Sequence, residues 1–392
     1  MRGSIAKRGA ESWRLRFDVG AHPNGKRKVQ SVTVRGTKRQ AQAKLAELLH
    51  SVDRGTYVEP NKIKVVEHVR ARLTQWQSSG KINEKTAERY RELIENQIAP
   101  FPIASKVMQR LKPGDVEEWH AALRTGGRKD GSGGISARTI GHVHRILSKA
   151  LKDAVKFDLT VRNAAGREGQ QAPTVEAREV EILPPEKIGD VITKLRGRAI
   201  FPKVILALFT GMRRGEIAAL RWRNVDLAAK TISVRESIEE TKAHGPRFKS
   251  TKTKKGLRDI TMPDIVAETL AEHRRGQLEE RMSLGLGKPP ADALVFPSRD
   301  GGPQYPRNLS GEWKEACAIV GIEPPVTFHA LRHTHASQLI KAKVDVVTVS
   351  RRLGHANPQI TLQVYSHLWD KRDDEASAVI NAAIGALNVT RS

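Results

Sequence analysis

The stretch VTFHALRHTHASQLI, residues 326–340, combines a helical pattern of apolar residues with a high density of histidine and arginine. Thr327 is placed to cap a helix, and His329 and Arg332, three residues apart, would lie on one face of it. His329 and His333 are four apart, a spacing that also suits a metal pair. We predict no metal, because HALRH lacks the glutamate of the HExxH zinc motif and Arg332 would repel a cation.

A second stretch, RRLGHANPQITLQVYSHL, residues 351–368, adds a histidine and a tyrosine. Gly354 is expected to end a helix, and Asn357 with the proline after it to begin the next. His355 falls in the turn between them, where a histidine is normally exposed or a capping group. Tyr365 falls on the new helix, where a single tyrosine is normally part of the core.

Further upstream, TGMRRGEIAALRW, residues 210–222, predicts a helix break followed by a new helix. Arg213, Glu216, Ile217 and Leu220 would then share one face of it. An arginine beside a carboxylate on an otherwise apolar face has two interpretations. The pair is either a buried ion pair or an oriented clamp for an anion.

Between these stretches, STKTKKGLRDITMP, residues 250–263, predicts a basic hairpin tip that leads into the strand LRDITM. A lysine-rich turn of this kind is usually solvated. The alternative is that it carries one lysine, Lys252 or Lys254, into an active site.

The composition favours a polyanionic partner. The 392-residue chain has 68 lysines and arginines against 43 aspartates and glutamates, a net charge of +25. Nucleic acid is the usual partner of such a chain, although a merely basic surface is the alternative. We expect no membrane span and no secretory signal, since no long apolar run is present. The single cysteine, Cys317, excludes an internal disulfide framework and fits a cytoplasmic location.

Residues 1–60 are predicted to form a small DNA-binding domain. In SWRLRFDV, apolar residues alternate with Arg14 and Arg16, which predicts a half-buried strand with a basic outer face. A helix, TKRQAQAKLAELLHSV, would brace the small sheet. Such a sheet can place a strand ribbon in the DNA major groove, and Arg14 and Arg16 are the candidate contacts. An ordinary solvated face is the alternative.

Residues 61–167 are predicted to be all helical. The long helix SARTIGHVHRILSKALKDAVKF turns one apolar face inward. Its other face either contacts DNA phosphates or simply faces solvent. That face carries Arg138, Arg145, Lys149 and Lys152.

The polar, aperiodic residues 168–182 are predicted to be a linker. A mixed domain follows over residues 183–392. Its tail, residues 370–392, combines a short acidic start with an amphipathic helix.

The order Arg, Lys, His-x-x-Arg, His, Tyr resembles that of the tyrosine recombinases, also called the phage integrase family. TGMRRGEIAALRW is similar to their first arginine box, and HALRHTHAS with LGHANPQITLQVYSH is similar to the second. The resemblance covers essentially the whole chain, but residues 1–60 resemble integrase arm-binding domains only in shape. It implies a multidomain, mainly α fold with small β-sheets. The domains would be an N-terminal three-stranded sheet with a helix, a helical SAM-like core-binding domain and a mixed α+β catalytic domain.

The resemblance also implies a role for each matching residue. Tyr365 would be the nucleophile on the scissile phosphate, and Arg213 and Arg332 would bind the non-bridging oxygens. His329 would accept the proton of the tyrosine hydroxyl, and His355 would donate to the phosphate.

The general acid is the least defined role. Lys252, placed by its distance from the strand LRDITM, would protonate the leaving 5′ oxygen, with Lys254 as the competing choice. Glu216 would orient the arginines without reacting. Two guanidiniums can stabilise the charge of a phosphoryl transition state by themselves, and no metal or other cofactor is implied.

The implied activity is that of a site-specific recombinase, an integrase of a temperate phage or other integrative element. It would cleave and rejoin DNA through a 3′-phosphotyrosine without ATP. Double-stranded DNA, at core and arm sites, would be the partner of a monomer or weak oligomer that forms a tetramer on synapsed DNA. An excision factor or a DNA-bending host protein would assist.

Two alternatives share the fold or the chemistry. A type IB topoisomerase uses the same residue types, but the amino-terminal and helical domains argue against it. A catalytically inactive DNA-binding protein of the same fold would not be expected to keep the complete set of catalytic residues.

Overall fold

The computed structural model divides the chain into two compact units, Met1–Glu176 and Ala177–Ser392. The division falls within the linker predicted from the sequence, while the finer domain boundaries stay a prediction. The residues that the structure describes are 3–21, 25–176, 180–250, 256–368 and 373–386.

The first unit begins with an antiparallel sheet and a helix. The strands β1 (Gly3–Gly9), β2 (Ser12–Ala21) and β3 (Arg27–Arg35) lie in that order in the sheet. Helix α1 (Lys38–Asp53) begins after Thr37, which forms a capping box with Gln40. The three-stranded sheet with its helix confirms the fold class expected for this region.

One face of this sheet is apolar and the other is basic. Leu15 and Phe17 of β2 are buried with Ala41 and Leu45 of α1. Because side chains alternate along a strand, the arginines of β2 lie on the opposite face. There Arg14 pairs in register with Ala6 and Thr33, and Arg16 pairs with Ser4 and Ser31.

The rest of the first unit is a helical bundle. A single cluster joins its helices through buried aromatic and aliphatic residues, among them Trp76, Ile94, Trp119 and Leu147. The helices are α2 (Val65–Ser78), α3 (Glu84–Gln97), α4 (Pro113–Gly126) and α5 (Ala137–Lys156), with 3₁₀ turns at Pro102–Ser105 and Met108–Arg110.

The second unit packs helices around two small antiparallel sheets. One sheet has the order β4 (Val225–Asp226), β5 (Thr231–Val234), β8 (Arg258–Thr261), and the other is the ribbon β6 (Glu236–Thr241) and β7 (Gly245–Ser250). The helices are α6 (Lys187–Leu195), α7 (Phe201–Thr210), α8 (Arg214–Ala218), α9 (Asp264–Ser283), α10 (Pro306–Val320), α11 (Phe328–Lys341), α12 (Val346–Leu353), α13 (Pro358–Tyr365) and α14 (Asp373–Ala386), with 3₁₀ turns at Trp222–Asn224 and Ser366–Leu368.

Helix α7 lies at the centre of this unit, with Val204, Ile205 and Leu208 fully buried. Helix α11 packs against it and belongs to the same core through Phe328 and Leu331. This packing holds α11, which carries the histidine-rich stretch, on a rigid base.

The helix boundaries near the carboxyl end agree with the sequence. Gly354 ends α12 in the left-handed conformation, with φ 65°, and the Asn357 side chain caps α13. In α14 the apolar Val379 and Ile380 are exposed. None of the described helices has the length and apolar character needed to cross a membrane.

Candidate active site

The predicted catalytic residues that the structure describes meet, with Glu216, at one cavity of about 710 Å³ in the second unit. Lys249 of β7 and His333 of α11 line it as well. Lys252 and Lys254 lie outside the described residues, so their roles stay predictions. The predicted residues that line the cavity are Arg213, Glu216, His329, Arg332, His355 and Tyr365.

Arg213 reaches the cavity from the cap of α8 and not from its face. Its backbone is extended, with φ −75° and ψ 148°, and α8 already ends at Ala218. The predicted helical face that included Leu220 was therefore wrong. The reason is local: the N–H of Arg213 donates to Glu216 Oε2 at 2.8 Å, which fixes Arg213 as the residue before the helix. Its Nη1 donates to Oε1 of the same carboxylate, also at 2.8 Å.

Glu216 is buried between two arginines. Arg258 of β8 donates to both of its carboxylate oxygens, at 3.1 and 2.8 Å. Burial raises the pKa of Glu216, but the hydrogen bond and charge of Arg258, with the charge of Arg213, outweigh it and bring the pKa to about 2. The buried pair is thus mainly Glu216 with Arg258, while the Arg213 side chain stays 38% exposed.

Sequence reasoning did not single out Arg258. It stands in LRDITM as one alternating residue of a short strand, and such a pattern does not indicate a partner 42 positions away. The available signal was its position two residues before Ile260, because residues two apart on a strand share a face and both are buried here. A buried arginine requires an ionic or carbonyl partner.

Three arginines converge on the carboxyl end of α12. The carbonyl oxygens of residues 352–354, in that order, accept from Arg258 Nε at 2.8 Å, Arg332 Nη2 at 2.7 Å and Arg213 Nη2 at 3.0 Å. Carbonyls at a helix end lack intrahelical partners and carry partial negative charge. The end of α12 therefore fixes the orientation of all three guanidiniums, of which Arg213 and Arg332 line the cavity.

Arg332 is held from both sides. It is 2% exposed, and its Nη1 donates to the carbonyl of Gly211, at the end of α7, at 2.6 Å. Burial and the nearby Arg213 lower its pKa, yet a guanidinium stays protonated in proteins. The result is a fixed positive charge in the cavity wall.

His355 lies in the turn between α12 and α13, as predicted. Its Nδ1 is 2.8 Å from the hydroxyl of Thr361, which is fully buried in the first turns of α13. Burial and the charges of Arg332 and Arg213 lower the pKa of His355 to about 3. The ring is therefore neutral, and its Nε2 is the nitrogen left to interact with a ligand in the cavity.

Tyr365 is the last residue of α13 and combines two environments. The side chain is 1% exposed and packs with Ile340 and Leu353. Its hydroxyl lies 2.5 Å from Nδ1 of His333. Burial raises the pKa of Tyr365 to about 12, against the opposing charge of Arg332, so the hydroxyl is protonated at neutral pH.

The histidine at the tyrosine hydroxyl is thus His333 and not His329, which the family resemblance implied. His329 is one helical turn earlier on α11, and its ring meets the His333 ring edge-on at 4.6 Å between centroids. Both rings line the cavity because residues four apart share a helical face. Which of them meets Tyr365 depends on how α13 packs on α11, and the spacing alone does not contain that information.

The predicted DNA contacts are in the first unit. Arg16 is exposed and Arg14 half-buried on the basic face of β2. On α5, Arg138, Arg145 and Lys152 are exposed, whereas the Lys149 ammonium lies 4.2 Å from the centre of a Trp76 ring. Lys149 is therefore engaged within its own unit, and the other three remain the stronger candidates.

Residues 186–372 match the model of the Phage integrase family. The chain is 25% identical over 392 residues to a protein of Caldanaerobacter subterraneus subsp. tengcongensis described as "Tyrosine recombinase XerC-like", with 96% of this chain and 98% of the relative covered. It is 26% identical over 375 residues to an integrase of Streptomyces ambofaciens, with 91% of this chain and 89% of the relative covered.

Solved structures share the fold. The Tn1549 transposon integrase, in complex with a circular intermediate DNA, superposes with a TM-score of 0.67 at 18% identity, over 82% of this chain and 99% of that one. A lambda integrase dimer bound to a COC′ core site gives a TM-score of 0.55 at 17% identity, over 79% of this chain and 99% of that one. At these identities the likeness concerns the fold, and it confirms the mainly helical, multidomain class predicted from the sequence.

Proposed function

We propose a reaction for this cavity from one premise: the chain belongs to the phage integrase family, whose model covers residues 186–372, and is a site-specific DNA recombinase of a mobile element. The observation that carries the proposal is that Tyr365 lines the same cavity as Arg213 and Arg332, where Glu216, the carboxylate among the described lining residues, is already neutralised by Arg258. Tyr365 is the nucleophile, and the scissile phosphate binds between the two arginines.

The charge balance of the cavity suits a phosphodiester. Attack by Tyr365 places additional negative charge on the phosphate oxygens, and preorganised guanidiniums stabilise it. Arg332 and Arg213 are already oriented by helix-end carbonyls, so little reorganisation is required when DNA binds. Arginine suits this role because its planar donors match two oxygens at once.

The remaining groups assist the same step. His355 donates through Nε2 to a non-bridging oxygen, and His329, on the cavity wall, contacts the bound phosphate. Lys252, with Lys254 as the alternative, protonates the 5′ oxygen as it leaves. The products are a 3′-phosphotyrosine and a free 5′ hydroxyl. Because the phosphotyrosine keeps the phosphoester bond, the 5′ hydroxyl of the partner strand can attack it and rejoin the DNA without ATP.

DNA contacts outside the cavity come from two basic surfaces. The outer face of β2, with Arg14 and Arg16 flanked by the small residues Ser31 and Thr33, binds accessory arm sites through a strand ribbon. The exposed cations of α5, named above, contact core-site phosphates. These contacts account for part of the net charge of +25.

The assembly on DNA is larger than the free protein. A tetramer forms on two synapsed sites from a monomer or weak oligomer, and the exposed apolar residues of α14, among them Val379 and Ile380, support a docking role for the tail. The protein acts on DNA in the cytoplasm.

Covalent trapping tests the proposal. Nicked duplexes that carry the attachment sequences of the host element are incubated with the protein in EDTA, and the products are separated under denaturing conditions. The wild type should give a DNA-linked band that Tyr365→Phe abolishes, since phenylalanine keeps the ring packing and loses only the hydroxyl.

A covalent band that persisted in Tyr365→Phe would overturn the choice of nucleophile. Plain relaxation of supercoiled DNA without strand exchange between defined sites would instead indicate a topoisomerase. Tight DNA binding without any covalent product on attachment DNA would indicate an inactive DNA-binding protein.

A further inference from the structure

The Tyr365 hydroxyl and Nδ1 of His333 lie 2.5 Å apart, and the direction of this hydrogen bond follows from the tautomer of the ring. In the Nε2–H tautomer, the protonated tyrosine donates and Nδ1 of His333 accepts. Burial and the charge of Arg332 lower the pKa of His333 to about 4, so the ring is neutral and carries its proton on Nε2. In the free protein the Tyr365 hydroxyl is therefore hydrogen-bonded to the unprotonated Nδ1 of His333, which can accept its proton.

We propose that His333 Nδ1 is the base that takes the hydroxyl proton of Tyr365 during DNA cleavage, an inference that rests on the function proposed above. As the Tyr365 oxygen bonds to phosphorus, its O–H bond breaks and an Nδ1–H bond forms. The bond from phosphorus to the 5′ oxygen breaks in the same step, and the general acid protonates that oxygen. When the strand is rejoined, His333 returns the proton to the departing tyrosine oxygen.

Geometry separates His333 from His329, the residue that the family resemblance implied. A general base must lie within about 2.6–3.2 Å of the oxygen whose proton it takes, or reach it through one water. In the free protein Nδ1 of His333 lies 2.5 Å from that oxygen, within direct hydrogen-bond reach, and α11 holds it there through its buried neighbours Arg332 and Thr334. His329 is exposed and lies one turn earlier on the helix, which suits contact with the phosphate.

The surroundings of His333 also explain how its basicity could follow DNA binding. Arg332 lowers its pKa, whereas Glu181 raises it. An anionic phosphate between Arg213 and Arg332 would offset the arginine charge and so raise the pKa of His333. The base would be weak in the free protein and stronger in the DNA complex. The titratable and charged groups around His333 are His329, Arg332, Tyr365, Glu181 and His355.

The experiment measures single-turnover cleavage of a duplex on which the wild type forms the Tyr365-dependent covalent product. Three variants are compared: His333→Ala, His333→Gln, which can accept the hydrogen bond but cannot take the proton, and His329→Ala, which removes the competing candidate base. Both His333 variants should cleave about 10²–10⁴-fold more slowly, the usual contribution of a general base, and bind DNA normally. Should the alanine variant fail to fold, the glutamine variant alone carries the test.

Two chemical substitutions, one in the DNA and one at Tyr365, show whether a slow variant has lost the general acid or the general base. A bridging sulfur in place of the scissile 5′ oxygen removes the need for a general acid, so it should rescue Lys252→Ala but not the His333 variants. A fluorinated tyrosine at position 365, with a more acidic hydroxyl, should restore at least about tenfold of the rate lost in His333→Gln, since a weaker base then suffices.

Three results would overturn the assignment. One is wild-type cleavage by His333→Gln, which would leave His333 only a positioning role. Another is failure of fluorinated tyrosine to rescue that variant. The third is that His329→Ala slows cleavage more than the His333 variants do and is itself rescued by the fluorinated tyrosine. In each case the wild type still forms its Tyr365-linked product, so failure of the inference is distinct from failure of the proposed function.

Discussion

Arg258 and Glu216 form a bidentate ion pair in which both side chains are 3% exposed. The pair joins β8 to α8, and Arg258 continues the link to α12 through the carbonyl of Arg352. Three elements around the active site are thus tied together by one buried ion pair. The contact positions Arg213 as well, because the same carboxylate caps α8 at that residue.

Removal of this negative charge should destabilise the second unit. Glu216→Gln keeps the shape of the side chain but leaves the buried charge of Arg258 unbalanced, which typically costs about 3–5 kcal/mol. Urea unfolding measures the loss. The matched control is Asp190→Asn, which removes an exposed carboxylate near Lys194 and should change the free energy of unfolding by much less. Equal losses in both variants would contradict the role given to Glu216.

The same carboxylate should make stability depend on acid pH. The pKa of Glu216 is about 2 in the folded chain, below its ordinary value of 4.5. A lowered pKa means that the folded state favours the ionised form, so the stabilisation is complete above pH 4.5 and is lost as the pH falls toward 2. The slope of unfolding free energy against pH in that window should be shallower in Glu216→Gln. Parallel curves for the two proteins would exclude Glu216 as a source of the slope.

Gly354 is expected to tolerate no side chain. Its φ is 65°, and an added Cβ would lie 2.9 Å from Arg258 Nη1. Gly354→Ala should therefore cost about 1–2 kcal/mol for the left-handed backbone alone, and cleavage should slow because Arg258 is displaced. Gly276 lies within α9, and an added Cβ there would meet no atom within 4 Å, so Gly276→Ala should be neutral or slightly stabilising. Chemical denaturation of both variants measures the free energy of unfolding, which should fall in Gly354→Ala and stay the same or rise slightly in Gly276→Ala.

Thr361 is expected to act through His355. Thr361→Val keeps the volume of this buried residue but removes the hydroxyl next to Nδ1 of His355. The ring then loses the contact that directs its Nε2 proton toward the cavity, and cleavage should slow about tenfold, equivalent to roughly 1.4 kcal/mol. Thr361→Ser, which retains the hydroxyl, should stay close to the wild type. An unchanged rate in the valine variant, measured on trapped covalent product, would remove Thr361 from the mechanism.

How far the sequence predicts the site depends on whether a residue is placed by local or by tertiary structure. Gly354 and Asn357 were predictable, because caps follow from local backbone chemistry. The face of α8 was not, since that helix ends at Ala218 and Arg213 is its cap. His333 could not be preferred over His329, because helical spacing places both rings on one side and only the packing of α13 decides which meets Tyr365.

The basic face of the amino-terminal sheet gives the last prediction. If Arg14 and Arg16 bind phosphates, their joint change to alanine should remove about two counterions from the binding equilibrium with arm-site DNA. The plot of log affinity against log salt concentration should then be shallower by about 2. Lys44→Ala is the matched control, because Lys44 lies on α1 and pairs with Glu47, so its loss should leave the slope nearly unchanged. An unaltered slope in the double arginine variant would mean that this face only contacts solvent. Cleavage of a core site should persist in the double variant whatever the slope, because the cavity belongs to the other unit.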